Sequence, residues 1–260
     1  MTDQYDQFAA DYDWLFSDFA RVGERYVAGL SETLRKLPDD AKILDCACGT
    51  GITILALARH GFHAAGTDAS EGMILRARQN MDEGEVDVPL EVCSWENLPS
   101  LFAPEYDMVL CGGNSIGHCR DEHEMLRSLG GIHHVLKPGG LLVLDTRNWD
   151  KLLAERIRFT HFGARQRYGK RCVPLYVWTF PEKSSGPVTV EVLLPIEADG
   201  VVALKVFEIV YHPFRSEELM ERLQCAGFVA AELTYTADRS AYTVSARKGS
   251  ATPPSRRAGE

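Results

Sequence analysis

Several short stretches place glycine beside an acid, a hydroxyl or an amide where an apolar run ends. Residues 43–51 read ILDCACGTG: the run ends on Asp45, and a loop with Gly49 and Gly51 leads into a helix-like segment. Glycine in such a loop lets a ligand approach the backbone closely. A dinucleotide fingerprint would read G-x-G-x-x-G, with pyrophosphate on the helix N-terminus. This loop instead has Ala47 where a first glycine might stand, and it opens with an acid. An acid there repels pyrophosphate and suits a cationic amine. Asp68 ends the next run, HAAGTD, seventeen residues after Gly51. A carboxylate at that place accepts hydrogen bonds from both hydroxyls of a ribose. The competing role is to cap the helix that begins SEGMILRAR, but Ser70 can serve as that cap. Ser94 and Trp95, in CSWENLP, follow the third run. A hydroxyl and an indole at that edge can bracket a purine; the rival role for Trp95 is core packing. The fourth run, YDMVL, leads into CGGNSIGH, residues 111–118, where two glycines are followed by Asn114 and His118.

Other clusters carry less. HCRDEHEM holds His118, Asp121, Glu122 and His123. The two histidines are five apart across a helix start, not the i, i+4 pair of a helical zinc site, so no metal is expected and Asp121 reads as a helix cap. Cys46 and Cys48 form C-x-C in a loop, not the redox C-x-x-C.

These residues need a scaffold that brings strand ends together. Strands are expected at KILDCA, HAAGTDA, PLEVCSW, YDMVLCG and LLVLDTRN, with helices between them through residue 150. That alternation means βαβ units, an α/β Rossmann-like doubly wound parallel sheet with helices on both faces. VPLYVWTF, PVTVEVLLPI and VVALKVFEIVYHPF then follow as consecutive strands, read as an antiparallel insertion over 151–212. A helix at SEELMERLQCAGF, capped by Ser216, and strands VAAELTYT and AYTVSARK return to the main sheet over 213–248. Residues 1–40 read as a helical lid: Tyr5, Phe8, Tyr12 and Phe16 form one stripe, and GERYVAGLSETLRKL continues as an amphipathic helix. The cofactor-binding core is thus 41–150, and 249–260 reads as a disordered tail.

The chain has 260 residues, 45% hydrophobic and 25% charged, with a formal net charge of -9. That supports one sizeable core and excludes a basic stripe for nucleic acid. No apolar run approaches a membrane span, no signal peptide is visible, and seven cysteines, mostly within apolar runs, fit a reducing cytoplasmic setting.

Together the strand ends describe a site for a nucleoside with a positively charged amino-acid tail. On LDCACGTG, DASEGM, the Ser94–Trp95 pair, GNSIGH and LDTRNWD, the chain resembles class I S-adenosylmethionine-dependent methyltransferases, and among them the glycine N-methyltransferases. The resemblance is weak after residue 150. It implies a seven-stranded sheet and S-adenosyl-L-methionine as cofactor. Ala47 and Gly49 would line its methionine part, Asp68 would hold the ribose, and Met73 would pack on the adenine with Ser94 and Trp95 at its edge. Gly112 would contact the methionine tail with His118 close by, Arg21 (or Arg25) would reach the carboxylate, and Tyr5 would cover the site.

The resemblance also assigns the acceptor's carboxylate to Arg147. A planar guanidinium holds a carboxylate through two parallel hydrogen bonds. The structural alternative is an ion pair with Asp145 or Asp150. Asn114 would present its amide to the acceptor, and a tyrosine hydroxyl, Tyr211 ahead of Tyr176, would take part in removing the amine proton. The expected activity is N-methylation of a small amino acid such as glycine or sarcosine. Methylation of another small-molecule amine, hydroxyl or carbon, and a non-catalytic cofactor-binding protein, are the alternatives. Four residues precede Tyr5. The animal-type glycine enzyme has a longer arm there that enters a neighbouring subunit, so a monomer or homodimer is expected instead of its tetramer.

Overall fold

The computed structural model describes residues 2–182 and 186–249. Of the tail expected over 249–260, residues 250–260 lie outside the described residues. The chain opens with α1 (Thr2–Tyr12), a tight turn at Asp13–Leu15, α2 (Phe19–Gly29) and a short α3 (Ser31–Leu34). Strand and helix then alternate: β1 (Lys42–Asp45), α4 (Ile52–Arg59), β2 (His63–Asp68), α5 (Glu71–Glu83), β3 (Leu90–Val92), α6 (Leu98–Leu101), β4 (Tyr106–Cys111), α7 (Glu122–Val135) and β5 (Leu136–Arg147). After α8 (Trp149–Glu155) come β6 (Phe159–His161), β7 (Arg165–Arg167), β8 (Lys170–Cys172), β9 (Leu175–Thr179), β10 (Val188–Ala198) and β11 (Val201–Tyr211). Helix α9 (Ser216–Cys225), β12 (Phe228–Leu233) and β13 (Ala241–Lys248) complete the fold.

The main sheet has seven strands in the order β12-β13-β5-β4-β1-β2-β3. β1 to β5 run parallel, while β13 is antiparallel to both β5 and β12. The doubly wound α/β expectation therefore holds. Parallel strands are covered on both faces, which is why Ile43, Leu44, Met108 and Val109 are fully buried. The parallel run also aims the carboxyl ends of β1, β2, β4 and β5 at one edge, where Asp45, Asp68, Cys111 and Arg147 stand.

A second, antiparallel sheet carries β6 to β11. β10 and β11 form a long hairpin turned by Asp199 and Gly200, both at positive φ (52° and 77°), as a two-residue primed turn requires. Its inner face buries Val188, Val190, Val192 and Leu194 with Tyr176 and Trp178. The three-residue strands β6, β7 and β8 were not expected, because RFTHFGARQRYGKRC is basic and shows no sustained alternation.

Three boundaries differ from expectation. The helix over GERYVAGLSETLRKL breaks after Gly29, a weak helix former. β5 begins at Leu136 instead of at LLVLDTRN, because a register shift opposite Tyr106–Met108 absorbs the Pro138-Gly139-Gly140 segment. Ser216 does not cap α9: its hydroxyl donates to Asp150 at 3.3 Å, and the Arg215 N–H is taken by the Glu218 carboxylate at 2.9 Å. Asp121 does cap α7, accepting the Glu124 N–H at 2.8 Å. Among the described residues no helix is long and apolar enough to cross a membrane.

Candidate active site

A cavity of about 490 Å³ lies against the carboxyl ends of β1, β2 and β4. That size suits a small-molecule ligand. Gly49 and Gly51 sit at positive φ (52° and 86°), which lets the β1–α4 loop turn tightly without Cβ strain. A Cβ on Gly112 would lie 3.0 Å from an Asp145 carboxylate oxygen, so the close approach of the β4 end to the β5 end needs glycine.

Asp68 is held from both sides. Gly49 N–H donates to one oxygen at 2.9 Å and Ser70 N–H to the other at 3.0 Å. Each carboxylate oxygen keeps a second lone pair, and Asp68 lines the cavity. Ser70 caps α5 by accepting the Met73 N–H at 3.1 Å, as expected. Ser94 and Trp95 also line the cavity, and the indole donates to the Cys46 carbonyl at 2.8 Å. Trp95 is therefore a wall fixed to the β1 loop.

Three carboxylates face this space: Asp45, Asp68 and Asp145. Burial pushes the Asp45 carboxyl up to about 7, with Asp68 and Asp145 adding to the rise against the single Ala47 N–H. Burial also raises Asp145, opposed by hydrogen bonds from the Tyr26 hydroxyl at 3.0 Å and the Asn114 N–H at 3.2 Å. Among the described residues, the only lysine or arginine on the cavity wall is Arg239, from the β12–β13 loop. Such a chamber favours a ligand with positive charge.

The N-terminal segment forms the opposite wall through Tyr5, Tyr12, Phe16, Val22 and Tyr26. It is tied down at two places. Asp6 accepts the Gly72 N–H at 2.9 Å and the Ser70 hydroxyl, which fixes α1 on the start of α5. Asp13 accepts the Thr50 hydroxyl at 2.7 Å and Arg76 Nε at 3.0 Å, which fixes the turn on the β1 loop. The Tyr5 hydroxyl meets His118 Nε2 at 2.8 Å, and His118 Nδ1 lies 3.0 Å from the Val210 carbonyl. A carbonyl only accepts, so Nδ1 carries the proton and Nε2 accepts from Tyr5. Burial lowers the His118 pKa to about 4, so the ring is neutral near pH 7.

Arg147, Asn114 and Tyr211 are not among the residues that line this cavity. Tyr211 stacks on the His118 ring with centroids 4.6 Å apart and lies 5.3 Å from Trp149. The Arg147 guanidinium lies over Trp178 at 5.0 Å and over Tyr176 at 5.8 Å. No ion pair joins it to an acid among the described residues: Asp145 is taken by Tyr26 and Asn114, and Asp150 by Ser216. Asn114 uses its amide oxygen for the Thr146 hydroxyl and the Arg147 N–H, both at 2.9 Å. Only its amide nitrogen remains. That nitrogen, Arg147 Nε and Trp149 Nε1 are buried donors without a partner among the described residues.

Most of the expected site residues are thus brought together. Tyr5, Asp45, Ala47, Gly49, Asp68, Met73, Ser94, Trp95, Gly112 and His118 line one cavity. Arg21 does not: it and Arg25 are exposed on α2, and the cavity face of that helix is Val22 and Tyr26. Tyr12, Tyr26, Asp13, Asp145 and Arg239 were not singled out as site residues. Asp145 had a signal, since it ends a parallel strand region as Asp45 and Asp68 do. Arg239 had none.

Residues 43–140 match a family model described as a methyltransferase domain. The chain carries a methyltransferase domain. Its sequence is 31% identical over 157 residues to the glycine/sarcosine N-methyltransferase of Aphanothece halophytica, covering 59% of this chain and 57% of that protein. It is 37% identical over 124 residues to the glycine N-methyltransferase of Mus musculus, covering 44% and 42%. The chain spans about half the length of the curated relatives it matches. Among solved structures, S-adenosylmethionine-bound CalS10, an amino pentose methyltransferase of Micromonospora echinaspora, superposes with a TM-score of 0.72 at 18% identity, covering 93% of this chain and 96% of that one. The fold outside residues 43–140, N-terminal helices and antiparallel strands included, is therefore similar to that of this methyltransferase. The residues present fit that cofactor: a ribose-type acid with free lone pairs, a buried acid without a cation, and an aromatic wall.

Proposed function

We propose that this protein is an S-adenosylmethionine-dependent methyltransferase that N-methylates a small amino acid of the glycine or sarcosine kind. When bound, the cofactor supplies a methyl group on a sulfonium, open to in-line displacement by an amine. Asp68 accepts the ribose hydroxyls, Met73, Ser94 and Trp95 bound the adenine, and Asp45 takes the cationic ammonium. Arg239, the cation on the wall, is the candidate for the tail carboxylate in place of Arg21. Tyr5 and Tyr12 close the chamber against water, and their faces favour positive charge.

The observation that carries the acceptor reading is Arg147. It is an arginine stacked on two aromatic rings with its Nε unpartnered and no ion pair to an acid among the described residues. Asn114 Nδ2 and Trp149 Nε1 leave two more donors in the same cluster. A group of buried donors without acceptors is complementary to a carboxylate. The amine must enter neutral; methyl transfer leaves a proton on the product nitrogen, which passes to water, with the Tyr211 hydroxyl the candidate to accept a hydrogen bond from that nitrogen; neutral His118 accepts from Tyr5 and stacks on Tyr211.

A second reading, a natural-product amine as acceptor, is supported by the near-complete coverage of CalS10. Release of the demethylated cofactor across a panel of acceptors separates the two. Glycine and sarcosine should turn over, and glycinamide, which lacks the carboxylate, should not. Equal turnover of acid and amide would remove the carboxylate reading and favour the second.

A further inference from the structure

Asp145 and Asn114 hold each other across the ends of β5 and β4. The chain leaves β4 through a tight turn over residues 112–115, closed by the Ser115 N–H on the Gly112 carbonyl at 3.2 Å. Both central residues are left-handed, Gly113 at φ 69° and Asn114 at φ 63°, as in a type I′ turn. Glycine takes that conformation freely; asparagine tolerates it but does not select it alone. Contacts from β5 hold Asn114 there. Asp145 Oδ1 accepts the Asn114 N–H at 3.2 Å. In return the Asn114 amide oxygen accepts the Thr146 hydroxyl and the Arg147 N–H, each at 2.9 Å. The clasp is reciprocal: the side chain of each strand end grips the backbone of the other.

The clasp fixes an orientation. With its oxygen held on β5, the Asn114 amide turns its nitrogen off that backbone. There it is a buried donor without a partner among the described residues, as is Arg147 Nε. Asp145 has a second anchor. Its Oδ2 accepts the Tyr26 hydroxyl at 3.0 Å, from α2 on the wall of the cofactor chamber. Gly112 leaves room for this meeting: a Cβ there would lie 3.0 Å from Asp145 Oδ2 and 3.4 Å from the Tyr26 hydroxyl oxygen. Two donors therefore meet two oxygens. A carboxylate accepts at both, whereas a side-chain amide has one accepting oxygen.

We propose that Asp145, braced by Tyr26, is a positioning residue for the methyl acceptor, acting through Asn114 and Arg147. The inference rests on the proposed acceptor site at those two residues. A carboxylate on the wall of the cofactor chamber thus sets affinity for the other substrate. Its charge also faces the chamber, so the two roles have to be separated by experiment.

A double-mutant cycle does this, by steady-state kinetics at saturating cofactor, on whichever acceptor turns over in a panel of amino acids and natural-product amines. Asp145→Asn should raise the acceptor KM roughly tenfold, with a smaller change in kcat. Asn114→Gly, which keeps the turn because glycine suits the left-handed conformation, should raise KM at least as much. In that background Asp145→Asn should change KM by less than about twofold, because no amide is left to position. Tyr26→Phe keeps the Asp145 charge. It should raise KM roughly threefold in the wild type and leave it unchanged beside Asn114→Gly, an arm that stands even if Asp145→Asn folds poorly. Cofactor affinity of Asn114→Gly, by calorimetry, should stay within about twofold of the wild type. Additive effects in the cycles, an unchanged KM in Asp145→Asn or in Asn114→Gly, or a cofactor loss in Asn114→Gly as large as its change in KM would overturn the proposal. A wild type that turns over only acceptors without a carboxylate would instead remove the amino-acid reading, and the cycle on such an acceptor still decides the role of Asp145.

Discussion

The two halves of the site are built on opposite principles. On the cofactor side, polar groups are satisfied by the protein itself: each oxygen of Asp68 already has a backbone N–H, Trp95 donates to Cys46, and glycines hold the loop shape. On the acceptor side, donors are packed among aromatic rings and left without partners, as at Arg147, Asn114 and Trp149. The first half is prepared for a ligand of fixed shape. The second holds an unmet demand for an acceptor atom, and burying such donors alone is costly. Under the proposed function, selectivity for the cofactor would reside in geometry and selectivity for the acceptor in charge.

The sharpest break of this contrast is Arg147→Lys. It keeps the charge but loses the planar fork and its stacking on Trp178. We expect kcat/KM for the amino acid to fall about 100-fold, with cofactor affinity little changed. Calorimetry with the cofactor beside steady-state kinetics checks both halves at once; equal damage to both would erase the distinction. Next is Asp68→Ala, which should weaken cofactor binding by about 1–3 kcal/mol, the scale of hydrogen bonds to a charged group. Unchanged affinity by calorimetry would remove the ribose assignment.

A third test uses pH. The Asp45 pKa is raised to about 7 in the empty site, so below that pH a bound cation must displace a proton. Cofactor affinity should rise with pH up to about 7, by at most tenfold per unit, and then level off. Asp45→Asn should flatten the profile. For stability without ligand the sign is opposite. A raised carboxyl holds its proton longer in the folded state, so this group's contribution falls as pH rises from its unfolded value of about 4 through about 7. The smallest effect is Arg239→Ala, expected to weaken the cofactor by a few tenths to 1 kcal/mol because the side chain is exposed. Arg21→Ala should change nothing measurable.

The cofactor half was legible in the sequence because its residues follow one another at strand ends. Asp45, Gly49 and Gly51 belong to one loop, and Ser70 stands two residues after Asp68. The acceptor half was legible only in its types. Arg147 was named, but that it would stack on Trp178 and Tyr176 depends on how a separate sheet packs over the end of β5, and local spacing does not encode that. Asn114 was expected to present its amide to the acceptor; its oxygen is consumed in holding the Arg147 backbone, and its nitrogen donor remains without a partner among the described residues. The error over Arg21 is one of helical phase. Gly23 and Val27 are the buried residues of α2 and Val22 and Tyr26, four apart, its cavity-facing pair, which turns Arg21 and Arg25 to the surface. That signal was present in RVGERY. The strands β6 to β8 left none, since three-residue strands are too short to show a period.

The placement of α1 has a kinetic consequence. Asp6 latches it to the start of α5, on the nucleoside's side of the chamber, while Phe8 and Asp11 rest on β11, on the side of the amine. One helix is thus a shared door. It cannot swing to release spent cofactor without also loosening the strand that carries Tyr211. Under the proposed function, departure of one molecule and capture of the other would both disturb the contacts of this one helix. The slow step of the cycle is expected to follow the strength of the Asp6 latch more closely than the chemistry of the methyl group.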